Sequence, residues 1–133
     1  MPPIHPDRIL MVYNADEGLF NAINDWAHKM FSPETYECPL CRFTYGLGGM
    51  LKPWKTFIEQ QPCPVQFLYR PYFRKAHPGF AAEPLPIVLV ESRGVLQALL
   101  TAAEISDVDG LPNLINRMQL RLETWRPPEA APA

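Results

Sequence analysis

The chain has 133 residues, 47% of them hydrophobic and 20% charged, with 12 Lys plus Arg against 14 Asp plus Glu for a formal charge of -2. A chain of this size fits one domain that buries roughly two-thirds of its unfolded surface, so a core is available without metal or disulfide staples. The charge balance offers no basic field for a phosphate backbone or an anionic membrane, which argues against nucleic acid and membrane as partners.

Proline is the compositional outlier, at 16 residues, while glycine is ordinary at 7. The prolines are absent from 7–32 and 87–111, where strands and helices need their N–H groups, so the excess marks punctuation rather than disorder. Three cysteines, Cys38, Cys41 and Cys63, are too few and odd in number for a secreted disulfide framework. The start MPPIHPDRIL has no charged segment leading into an apolar run. Reduced thiols in a cytoplasmic protein are the expectation.

Arg8–Tyr13 (RILMVY) is a continuous apolar run, the pattern of a strand buried on both faces. Beyond it Leu19, Phe20, Ile23, Trp26, Ala27, Met30 and Phe31 recur at helical spacing, with Asn14 or Asp16 as the cap. The opposite face of that helix carries Asn21, Asn24, Asp25 and His28. Residues 32–49 show no period and hold Pro33, Pro39 and three glycines, so they read as a loop longer than compact domains usually keep without a purpose.

A second helix is predicted over 50–61, with Leu51, Trp54, Phe57 and Ile58 on one face and Pro62 as its stop. Val65–Tyr69 reads as a strand, 71–83 as an irregular or short helical connection, and 87–91 as a third strand. Ser92, Arg93 and Gly94 make a turn from which Val95–Leu100 pairs back. A last helix begins at Asp107 or Asp109, with Leu111, Leu114, Ile115, Met118, Leu122 and Trp125 at core spacing, and ends before Pro127. The organisation is a flexible tail over 1–7, one domain over 8–126 and a disordered tail over 127–133.

Strand, crossover helix, parallel strand, hairpin and closing helix is the plan of an α/β fold, and it resembles the thioredoxin-like superfamily. The local likeness lies in Leu85-Pro86-Ile87-Val88-Leu89-Val90-Glu91-Ser92-Arg93-Gly94, similar to the segment in which a cis-proline opens that superfamily's third strand. The resemblance implies a three-layer sandwich with a four-stranded mixed sheet, in which Pro86 is the cis-proline beside the start of the first helix. The chain also resembles short bacterial proteins of unestablished function that carry V-Y-N-A-D and S-P-x-T-Y-x-C-x-L-C, here Val12 to Asp16 and Ser32 to Cys41. Some of these are labelled GTPase, but there is no G-x-x-x-x-G-K-[ST] here, and Gly46-Leu47-Gly48-Gly49 lacks the lysine that reaches a phosphate.

Cys38-Pro39-Leu40-Cys41 is the sharpest chemical signal. Two intervening residues let both sulfurs converge, which suits a reversible disulfide or two ligands of one metal. In thioredoxins the C-x-x-C opens the first helix, whereas residues 14–18 hold no cysteine here, so that catalytic role does not carry over by position. The leading expectation is a thioredoxin-like protein whose displaced dithiol exchanges with a protein or small-molecule disulfide. The alternatives are a zinc site built from Cys38, Cys41 and His28, with Asp25 orienting the imidazole and Cys63 as a fourth ligand, or a non-catalytic interaction domain whose cysteines brace a loop. Cys63 alone reads as a small buried hydrophobe, and the aromatic and basic run from Tyr69 to Lys75 as a solvated edge able to touch an anion.

Overall fold

A computed structural model describes residues 4–14, 44–46 and 49–127. Its centre is β1 (Arg8–Tyr13), where Ile9, Leu10, Met11, Val12 and Tyr13 are all 0% exposed. Burial on both faces is what an unbroken apolar run demands of a strand. β2 (Tyr45–Gly46) and β3 (Gly49–Met50) form a short antiparallel pair, and α1 (Lys52–Glu59) follows directly. Next come β4 (Val65–Tyr69), α2 (Arg70–Ala76) and a 3₁₀ turn at Pro78–Phe80. The hairpin of β5 (Ile87–Ser92) and β6 (Val95–Leu100) leads into α3 (Ala102–Asp107) and α4 (Leu111–Thr124).

The main sheet has the order β4-β1-β5-β6. β1 runs parallel to β4, with Ile9 opposite Val65 and Tyr13 opposite Tyr69, and antiparallel to β5, with Arg8 opposite Glu91 and Val12 opposite Ile87. β6 is antiparallel to β5. A parallel neighbour requires a crossover, whereas the β5–β6 link is a two-residue turn with Arg93 at φ 55° and Gly94 at φ 78°. A side chain placed at Gly94 would meet no atom within 4 Å, so only the backbone conformation opposes one. We expect Gly94→Ala to cost about 1 kcal/mol, read as a shift of the urea midpoint at unchanged m-value.

Side-chain alternation divides the core into two layers. Ile9, Met11, Tyr13, Val88 and Val90 face Trp54 and Phe57 of α1 and Leu114 and Met118 of α4. Leu10, Val12, Leu68, Ile87 and Leu89 face the other way, onto Phe73 of α2 and Phe80. Arg8, which shares this second face, bonds Gln66 and forms a 2.7 Å ion pair with Glu91. The polar clamp sits on the same face as the Phe73 layer and ties β1 to both its neighbours. A register shift between Val88 and Leu89 changes the phase of β6, which lets consecutive Leu99 and Leu100 both enter the first layer.

The structure departs from the sequence reading in several places. The second helix starts at Lys52 rather than 50, because Met50 pairs with Tyr45 and Pro53 belongs in a first turn. Gly46 and Gly49 likewise belong to a strand pair at the end of the segment read as a loop. The short helical connection expected over 71–83 forms as α2 and the 3₁₀ turn, and Tyr72, Arg74 and Lys75 lie exposed as an edge should, but Phe73 departs from that reading and is fully buried. The last helix starts at Leu111, after Gly110, with Pro112 in its first turn, and Asp109 reaches it only through a bond from Asn113.

α3 has no counterpart in the sequence reading. Thr101 and Glu104 form a reciprocal capping box at its start, and Arg121 of α4 pairs with the same Glu104 carboxylate. Loss of the cap in Thr101→Ala should cost about 1 kcal/mol by chemical denaturation. Burial raises the Glu104 pKa, but bonds from Thr101 and Arg121 outweigh it and hold the carboxyl below its usual range. Because the folded pKa is the lower one, the stabilisation is complete above the ordinary carboxylate range and is lost as pH falls through the folded value. Denaturation of the protein and of Glu104→Gln from neutral to acid pH should therefore give curves that converge in acid.

Candidate functional site

Strand direction brings three chain segments to one end of the sheet. β1 and β4 are parallel, so both leave at that end, β1 through Asn14 and β4 through Arg70. β5 is antiparallel to β1 and enters there through Pro86. Open α/β sheets place their ligands outside the carboxyl ends of their parallel strands, and β1 and β4 both end here.

The Leu85–Pro86 peptide bond is cis, and both residues are buried. Arg70 Nη1 donates to Asn14 Oδ1 at 3.0 Å, which links the exits of the two parallel strands. A planar guanidinium has five donors, so one bond to Asn14 leaves others able to meet an acceptor. Tyr13, just before Asn14, is fully buried and stacks on Phe67 with ring centroids 6.0 Å apart. The last residue of β1 is therefore held by packing, and Asn14 departs from a rigid base.

The sequence-predicted groups Asp16, Asp25, His28, Cys38 and Cys41 lie outside the described residues, as does the helix read from the spacing of Leu19 to Phe31. The chain passes to them from Asn14, at the end of the sheet just described, and returns at Thr44, which is fully buried and whose carbonyl accepts from Leu51 N–H at 2.8 Å. Among the described residues no group of three His, Cys, Asp or Glu side chains is arranged to hold a metal ion. Also among them, no helix is long and apolar enough to cross a membrane.

Cys63 lies just before β4, at the sheet end away from Pro86, and is 9% exposed. Burial pushes its thiol up from the usual value, and the negative charge of Asp7 adds to the effect. At neutral pH it is a protonated, poorly nucleophilic thiol packed in the first layer, as its reading as a small hydrophobe implies.

Sequence reasoning isolated Pro86 but not the Asn14–Arg70 contact. The two are 56 positions apart, and only the parallel pairing of β1 and β4 makes them neighbours. Comparison of the chain with protein-family models, curated proteins and solved structures finds no match.

Proposed function

We propose that the chain is a thioredoxin-like protein in which Cys38 and Cys41 perform thiol–disulfide exchange. The observation that carries this reading is the strand order β4-β1-β5-β6, with one parallel pair, an antiparallel hairpin and a cis-proline opening the third strand of the chain's main sheet. Helices cover both faces of that sheet, which is the layering such a fold requires. The segment carrying the C-x-x-C departs from the sheet end that holds Pro86, which supports pairing the two in one site.

In the proposed reaction one thiolate of the pair attacks a sulfur of the partner's disulfide, forming a mixed disulfide and releasing the partner's other sulfur as a thiolate. The second cysteine, deprotonated, then attacks the protein's sulfur in that mixed disulfide. The Cys38–Cys41 disulfide forms, the partner leaves with both sulfurs reduced, and two electrons have moved from protein to partner. Arg70 is suited to the same end of the sheet as a fixed positive charge that favours thiolate over thiol.

Protein purified without added metal should contain no stoichiometric zinc, titrate with a reversible dithiol, and reduce a disulfide substrate such as insulin. Cys38→Ser and Cys41→Ser should each abolish turnover, and one of them should accumulate a trapped mixed disulfide. Stoichiometric zinc that is lost in the double variant would overturn the exchange reading in favour of a metal site with His28.

A further inference from the structure

The sheet end opposite Pro86 carries a cavity of about 380 Å³, lined by the segment leading into β1, the segment leading into β4 and the end of α4. Its walls are mainly apolar, from Ile4, Pro6, Ile9 and Leu122, and Cys63 contributes a thiol. Sites for small molecules have this size and this mixture of an apolar body with few polar groups. Because burial and Asp7 both keep the Cys63 thiol protonated, its part of the wall is uncharged at neutral pH.

The walls are held in place from several sides. Asp7 N–H donates to the Glu91 carbonyl at 2.8 Å, and the Asp7 carboxylate accepts from Arg93 N–H at 2.9 Å, which anchors the stretch bearing Ile4 and Pro6. Gln61 Nε2 donates to the Phe57 carbonyl at 2.8 Å, fixing the turn before Cys63. Ile4 is nevertheless 53% exposed, a large apolar side chain at the rim of an apolar hollow.

The rim also carries charge, and the two signs are held differently. Arg126 is exposed, and its Nη1 donates to the carbonyls of Trp125 at 2.7 Å and Glu123 at 3.2 Å, which orients the guanidinium at the rim with other donors still able to meet an acceptor. The exposed Glu123 carboxylate has no such tether among the described residues and can turn to water. A prepositioned cation beside an apolar hollow selects for an anionic head on an apolar tail. We propose that this cavity binds a small amphipathic carboxylate, its hydrocarbon tail against Ile9 and Leu122 and its head at Arg126.

The inference is independent of the chemistry of Cys38 and Cys41 and is tested with octanoate and its uncharged counterpart octanol. In methyl NMR spectra of the full chain, octanoate should shift Ile4, Ile9 and Leu122 saturably. Arg126→Ala should weaken octanoate roughly five-fold, as expected for an exposed charge-assisted bond, and leave octanol unchanged. Leu122→Trp should fill the cavity and abolish binding. Ile4→Trp, at a position 53% exposed, provides a second block at the mouth. Shifts that do not saturate, octanol binding as tightly as octanoate, or octanoate binding undiminished in Ile4→Trp would each overturn the proposal.

Discussion

Replacing Trp54 with alanine should destabilise the protein by about 3–5 kcal/mol, the cost of removing a large aromatic ring from a closed core. Trp54 is 0% exposed and stacks on Phe57 at 5.6 Å between ring centroids, in the layer that joins α1 and α4 to the sheet. The penalty has two parts: the transfer of apolar surface that no longer reaches the interior, and a void that a close-packed layer cannot fully close. Domains of this size are stable by only about 5–15 kcal/mol, so the variant should stand near the edge of unfolding at room temperature. Urea denaturation followed by far-ultraviolet circular dichroism measures the loss. Trp54→Phe, which keeps a ring in the same space, should recover much of it, and a loss below about 1 kcal/mol for alanine would contradict the packing described.

Phe73→Ala should be comparably costly, at about 3–5 kcal/mol, yet differ in how the loss is distributed. Phe73 is the one buried side chain of α2, and its ring meets Phe80 at 6.5 Å and His77 at 5.5 Å. A seven-residue helix has too few internal hydrogen bonds to persist alone, so its order depends on that anchor. Hydrogen exchange should show protection vanishing over residues 70–76 while β1 and β5 stay protected, since those strands retain the opposite layer. Uniform loss of protection across the sheet would show instead that the second layer is needed for the whole fold.

Much of the sheet was legible because each strand carried a local signal. The unbroken run of β1 announced a central strand, and the Ser92-Arg93-Gly94 cluster between two apolar runs announced the hairpin. The capping box of α3, Thr101 to Glu104, was also written locally, in a T-x-x-E pattern, but its six-residue helix is too short for apolar periodicity to reveal it. The basic, aromatic composition of α2 allowed a short helical connection to be expected but concealed that Phe73 is its one inward residue. Of the candidate site, Pro86 could be singled out because its local segment resembled a known strand entry. The Arg70–Asn14 bond could not, since nothing in either neighbourhood specifies a partner that only β-pairing supplies.

The cavity walls also show that the two ends of the described chain meet: Ile4 and Pro6 come from one end, Leu122 and Arg126 from the other. A fluorescent protein, affinity tag or surface linker fused to either end would then project from the pole away from Pro86. Fusions at either end should therefore crowd the Cys63 cavity and leave the Pro86 pole open. The same proximity suits circular permutation, with a short flexible linker closing the old ends and new ends opened in the tight turn between β5 and β6.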